Sequence, residues 1–149
     1  MLKANTMLRV FNQDSSVKVS ITEKGRKQAL EIARKLKDRK FDIIFVSEFL
    51  RTQETVKVVI AGRDVEIKID KRINEDHKGF EGENVENYRK ARRASGEKIN
   101  LFKASKEFES FHDVKLRIEK FVSWVKTQNY ESVLIVTHAR NAMNLFKKT

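Results

Sequence analysis

The sequence has neither cysteine nor proline among its 149 residues. Without thiols there is no disulfide framework and no thiolate metal site, and such a chain suits a reducing cytoplasm. For the missing proline we have no physical account. Long apolar stretches are absent as well: the longest uninterrupted runs are a few residues, far short of the roughly 20 that cross a bilayer as a helix, so neither a membrane span nor a signal peptide is expected. Acidic residues are outnumbered, 21 against 32 Lys and Arg, for a formal charge of +11. That surplus would raise the local concentration of a phosphorylated or nucleic-acid partner. The basic residues are scattered, however, through 24–40, 89–93 and 147–148, as on a solvated helical surface, and that reading is preferred to a dedicated nucleic-acid patch.

A chain of this length is one domain, 1–149, able to bury roughly two-thirds of its unfolded surface. ESVLIVTHAR (131–140) is the stretch that organises it. The consecutive apolar residues Val133 to Val136 predict a central strand buried on both faces, with His138 delivered at its carboxyl end. In open α/β sheets that end is where ligands bind.

The other elements come from the same reasoning. TMLRVF (6–11) reads as a first strand and DIIFVS (42–47) as a second buried one; Val65, Ile67 and Ile69 alternate as a third, half-exposed strand. Thr22 predicts the N-cap of a helix to about Lys37 with Ala29, Leu30, Ala33 and Leu36 as its apolar stripe, and a second helix runs from about Leu50 to Ala61, stopped by Gly62. Residues 71–93 lack a sustained period and read as an irregular loop leading into a charged helical piece from about Asn84. Ser110, three residues before Asp113, predicts a capped helix with Val114, Ile118, Phe121, Val122 and Val125 on one face and Trp124 beside it in the core. Asn141 to Lys148 closes the chain as a short amphipathic helix. Strands alternating with helices, without hairpin signals, predict a three-layer αβα sandwich on a mainly parallel sheet.

Parallel strands gather the residues just beyond their carboxyl ends along one edge. Arg51, early in the helix after DIIFVS, is placed to bind phosphate together with helix amides. Glu75, in RINEDHKGFEG, is a candidate general acid on a loop, and His138 a phosphate-binding or nucleophilic imidazole.

Taken together, the segments resemble the histidine phosphatase superfamily, with its phosphoglycerate mutase-like fold. ITEKGRKQALEIARKL (21–36) is similar to that family's LTEKGRxQA segment, and VSEFLRTQETVKVV (46–59) to its S-x-L-x-R-T-x-x-T motif, with Phe49 at the usual leucine. RINEDHKGFEGEN (72–84) resembles the acid-bearing loop, FESFHDVKLRIEKF (108–121) the E-S-x-x-D-V-x-x-R helix, and VTHAR (136–140) the second-histidine motif. The resemblance implies a phosphoryl pocket in which Arg51 and His138 hold phosphate and Glu75 protonates the leaving group. It implies no metal and no cofactor.

The departure lies at the family's R-H-G motif, whose histidine is phosphorylated. Aligning MLRVFNQDSS with strand-R-H-G-E-S sets Phe11 at the arginine, Asn12 at the nucleophile and Gln13 at the glycine. An amide has no basic lone pair for attack, and phenylalanine neutralises no phosphate charge. A second register, with Lys3 at the histidine and Ala4-Asn5-Thr6 after it, removes a central strand, so the first is preferred; both lack the nucleophile. His77 in the acid loop and His112 at a helix start are the remaining histidines and read as surface residues. The expectation is a catalytically weak or inactive member that binds a phosphorylated small molecule or phosphoprotein. Two alternatives stand beside it: an active phosphomonoesterase or mutase with a non-standard nucleophile or a truncated start, and a basic nucleic-acid-binding module. Oligomeric state is left open.

Overall fold

The computed structural model describes residues 18–80 and 83–146, with side chains through 142 at the carboxyl end. The expected first strand at 6–11, the Phe11, Asn12 and Gln13 positions, and residues 147–149 lie outside the described residues. In chain order the elements are α1 (Glu23–Lys35), β1 (Ile43–Val46), α2 (Leu50–Val59), β2 (Glu66–Ile69), a 3-10 turn (Lys71–Ile73), α3 (Val85–Ser95), α4 (Phe111–Thr127), β3 (Val133–Val136) and α5 (Ala139–Phe146).

β1 explains the layering. All of its residues are buried, so both faces need apolar cover, and successive side chains alternate between two cores. Ile44 and Val46 pack with Ala29 of α1 and Val56 and Val59 of α2. Ile43 and Phe45 pack with Val114, Ile118 and Phe121 of α4. The Phe45 ring meets Phe121 and Trp124 edge-on at 5.4 and 5.7 Å, which places Trp124 against the core. Helices therefore flank the sheet on both sides, an α/β fold in layers as the alternation of elements predicts. The strands run in the order β2-β1-β3 and both pairings are parallel.

Local expectations compare as follows. Among the described residues β3 pairs only with β1 and is half-buried, and the fully buried strand there is β1. Leu30 is 44% exposed; it stands about 100° around the helix from Ala29, and the buried stripe of α1 instead runs through Gly25, Ala29, Ile32 and Leu36. The third segment is about half-exposed at its apolar positions, with Ile67 at 41% and Ile69 at 58%, and the preceding Val65 packs against the core. No described helix is long and apolar enough to cross a membrane.

The stretch read as an irregular loop has a definite path. Asp70 caps the 3-10 turn by accepting from the Arg72 amide, and 74–80 follow without regular secondary structure, bending at Asn74 and Gly79. Gly79 has φ 77°, and a Cβ there would run into the Phe108 ring. Asn84 caps α3, which ends on Gly96 in the left-handed conformation.

Candidate functional site

The parallel register brings the three strands to one edge, because Val46 lies opposite both Ile69 and Val136. The next residues of each segment, Ser47, the loop after Asp70, and Thr137-His138, converge there. Side chains then fix the loop to the sheet. Thr137 Oγ1 and Asn141 Nδ2 both donate to the Ile73 carbonyl, at 2.6 and 2.9 Å, and Asn141 Nδ2 also reaches the Asn74 carbonyl at 2.7 Å. Asn74 in turn accepts from the Glu48 amide at 3.0 Å and donates to the Glu48 carboxylate at 2.7 Å. Arg117 holds loop carbonyls from the α4 side, donating to Arg72 at 2.6 Å and Asn74 at 3.1 Å, while its fork grips Glu109. Glu75 is thus carried on backbone that is tied on both sides.

Arg51, Glu75 and His138 meet at this edge. Glu75 Oε2 lies 3.2 Å from His138 Nδ1 and 3.5 Å from Arg51 Nη2, and Arg51 Nη2 stands 3.3 Å from the same imidazole nitrogen. The ring of Phe49 packs under both: its centroid is 4.8 Å from the imidazole, edge to face, and 4.5 Å from the guanidinium carbon. At the opposite nitrogen of the imidazole, Ser47 Oγ is 2.8 Å from His138 Nε2. Ser47 is fully buried and its Oγ accepts from the Phe49 amide at 3.2 Å.

These contacts assign the proton. Ionised, Glu75 can only accept, so Nδ1 must donate to it, and the Arg51 approach to Nδ1 is then a packing contact made through the shared carboxylate. In the neutral imidazole Ser47 donates to Nε2. In the imidazolium Nε2 donates to Ser47, which can pass its own proton to Thr52 Oγ1, 3.1 Å away. Either way Nδ1–H faces Glu75. Burial pushes the Glu75 carboxyl up, but the hydrogen bond and charge of His138, then the charges of Arg51 and Arg140, outweigh it and hold the carboxyl below its ordinary value of 4.5. Burial lowers the Arg51 guanidinium against the opposing pull of Glu75; an arginine stays charged regardless. As found, then, Glu75 is an ion-pair partner.

A second cluster begins at the next residue. Asp76 is fully buried, and its Oδ2 is 2.7 Å from Lys78 Nζ and 2.5 Å from Arg140 Nη1. Lys78, only 1% exposed, also donates to the Glu109 carbonyl at 2.8 Å. Both cations lie against Phe111, with Nζ 4.2 Å and the Arg140 guanidinium carbon 4.0 Å from the ring centroid. Burial lowers the Lys78 ammonium, opposed by the charge and hydrogen bond of Asp76.

The expected residues are therefore brought together: Arg51, Glu75 and His138 form one contact group. His77 is exposed and set edge-on to Phe108 at 4.9 Å, and His112 is exposed in the first turn of α4. Asn12 lies outside the described residues. Sequence reasoning missed Ser47, Asn141 and the Asp76–Lys78–Arg140 cluster. The available signal for Ser47 was its place directly after the buried run IIFV; a lysine bound for the interior of a polar loop gives none. Among the described residues no group of His, Asp and Glu is arranged to hold a metal ion.

A model of the histidine phosphatase superfamily (branch 1) matches residues 8–146. The adenosylcobalamin/alpha-ribazole phosphatase of Escherichia coli (strain K12) is 26% identical over 135 residues, covering 79% of this chain and 61% of that protein. The chain thus spans less than two-thirds of that curated relative. Of solved structures, YhfR of Bacillus stearothermophilus superposes with a TM-score of 0.78 at 28% identity, over 92% of this chain and 69% of the other. Phosphoglycerate mutase from Bacillus anthracis str. Sterne superposes with a TM-score of 0.74 at 21% identity, over 90% and 70%, a likeness of fold alone.

Proposed function

Because the chain belongs to the histidine phosphatase superfamily, branch 1, we propose that it keeps that family's phosphate pocket without the phospho-accepting histidine, binding a phosphomonoester and turning it over weakly or not at all. The observation that carries this reading is the meeting of Arg51, Glu75 and His138 within 3.5 Å, beside a sequence in which Asn12 occupies the nucleophile position of the preferred register. Arg51 supplies a guanidinium fork and His138 an N–H to phosphate oxygens. An amide at position 12 has no lone pair able to attack phosphorus, so binding outlasts chemistry.

Glu75 gives the pocket a built-in exchange. An entering phosphate competes for Arg51 and His138, the two groups that keep the carboxyl ionised, and their transfer to the ligand lets burial push Glu75 back toward its protonated form. Proton-donor capacity then arises only with phosphate in place, which is when a leaving group needs it.

Incubation of the protein with para-nitrophenyl phosphate and phosphoglycerates tests the reading: negligible turnover is expected, and robust turnover that is lost in His138→Ala would overturn it. The double substitution Phe11→Arg with Asn12→His supplies the missing parts, and phosphatase activity is expected to appear or rise. Continued silence of the restored protein would mean that Arg51, Glu75 and His138 do not form a working pocket. The ligand is a phosphorylated small molecule or a phosphoprotein side chain, since both present the same phosphomonoester to this pair.

A further inference from the structure

We infer that the outer edge of β2 pairs with the same edge of a second copy of this chain, antiparallel and centred on Ile67, which joins two three-stranded sheets into one. Among the described residues β2 pairs with β1 alone and ends the strand order, and every residue in it is exposed. One side of its backbone is used. Asp70, directly after the strand, donates its amide to the Val46 carbonyl at 2.9 Å, and alternate residues of a parallel strand turn to the same neighbour. Glu66 and Lys68 therefore present their amide and carbonyl groups to β1. Ile67 and Ile69 turn theirs outward, a row of donors and acceptors that another strand can satisfy.

The side chains choose the partner and the register. Val65, Ile67 and Ile69 share one face of the strand; Val65 packs against the core, and Ile67 and Ile69 stand exposed beyond it. Glu66 and Lys68 share the other face, 3.3 Å apart. Contact about a two-fold axis is isologous, so the segment has to complement itself. The axes that keep the strand in overlap pass through Glu66, Ile67 or Lys68. An axis at Glu66 sets that carboxylate against the partner's Glu66, and one at Lys68 sets two ammonium groups together, in each case at the closest approach an antiparallel pair offers. An axis at Ile67 instead sets Glu66 against the partner's Lys68, Ile67 against the partner's Ile67, and Ile69 against the partner's Val65. Opposite charges then meet on one face and apolar side chains on the other, each pair formed twice by symmetry.

Sedimentation equilibrium of the full chain over a wide range of concentration at fixed salt is expected to show a reversible monomer–dimer equilibrium. Ile67→Lys, on the exposed edge, should abolish the dimer. Lys68→Glu sets carboxylates opposite each other twice and should weaken it about tenfold, although the change lowers the net positive charge that keeps copies apart. Adding Glu66→Lys to Lys68→Glu restores opposite charges and should recover the affinity. The chain has no cysteine of its own, so Ile67→Cys places a single thiol on the axis, where paired Cα atoms lie about 5.5 Å apart, within disulfide reach. Diamide should then link it into a dimer at least about tenfold faster than Lys68→Cys. A monomer at every concentration would overturn the inference and leave the edge to an extended segment of another protein. A dimer indifferent to Ile67→Lys, a Lys68→Glu loss that Glu66→Lys does not recover, or equal linking rates for the two thiols would overturn it as well.

Discussion

Glu75 and Asp76 are neighbours in the chain and each lies between two basic side chains, but they are built for opposite uses. Asp76 has no exposure, its contacts to Lys78 and Arg140 are 2.7 and 2.5 Å, and Lys78 is sealed in with it. Glu75 keeps 20% exposure and stands 3.2 and 3.5 Å from His138 and Arg51. Short, dry contacts cannot be traded without leaving a buried charge alone, whereas longer and wetter ones can be exchanged for those of a ligand. On the proposed function, one backbone step therefore separates a strut from a replaceable partner.

The largest effect expected from this contrast is on stability. Asp76→Asn leaves the Lys78 ammonium buried without its carboxylate, a loss of ~3–5 kcal/mol and on the order of 10 °C in Tm, read by a thermal melt. Replacing both members of the buried pair, Asp76→Leu with Lys78→Met, is expected to recover most of it, because well-packed apolar groups of similar size replace such pairs at little cost. An Asp76→Asn protein that melts like the unaltered one would erase the distinction. On the pocket side the expected loss is in binding: Arg51→Met removes a charge-assisted hydrogen bond worth ~1.5–3 kcal/mol to the ligand, roughly ten- to hundredfold in affinity for inorganic phosphate, with Tm nearly unchanged because Glu75 retains His138.

A smaller effect sharpens the same contrast. The strut depends on α4, which presents Phe111 and follows the Glu109 carbonyl. Its amino end is held by a capping box between Ser110 and Asp113, with Lys103 2.8 Å from Asp113. The hydrogen bond from Lys103, then those from Ser110, hold the Asp113 carboxyl well below the usual carboxylate range. Ser110→Ala is expected to cost about 1 kcal/mol in urea unfolding, without altering phosphate affinity. A fall in phosphate affinity as large as that of Arg51→Met would mean that the strut and the pocket are one unit.

Only the pocket side of the contrast was readable in the sequence. Arg51, Glu75 and His138 were recoverable because each lies just beyond or near a strand with a clear apolar run, and parallel strands deliver the residues after their carboxyl ends to one edge. The capped helix at Ser110 and the two faces of IIFV were legible for the same local reasons. Asp76, Lys78 and Arg140 were not, since they belong to a polar loop and a helix start where hydrophobic period gives no sign of burial. Nothing local distinguishes a lysine destined for 1% exposure from one on the surface. Leu30 failed in the reverse sense: it is apolar within an amphipathic stretch, but whether the stripe passes through 29 or 30 is set by the neighbouring α2. The half-burial of β3 depends on what lies beside it in the sheet.

The last and smallest expected effect tests Glu75 directly, through acid. Its folded carboxyl titrates below the ordinary 4.5 because the His138 hydrogen bond and the neighbouring cations more than offset burial. Between the two values the unfolded chain binds the proton and the folded chain does not, so acidification drives unfolding. The associated stability is complete above about 4.5 and is lost as pH falls through the folded value. Glu75→Gln has no proton to bind, so its urea midpoint should decline less steeply below about pH 4.5, and the gap between the two proteins should close with acidification. A gap that stays constant from about pH 7 to about pH 3 would mean that Glu75 is not the ionised partner of His138 and Arg51. Saturating inorganic phosphate provides the decisive variation: by drawing those cations to itself it should move the closing of the gap to higher pH, as expected of a carboxyl whose partners are exchangeable, whereas the Asp76 cluster should hold the loop in both conditions.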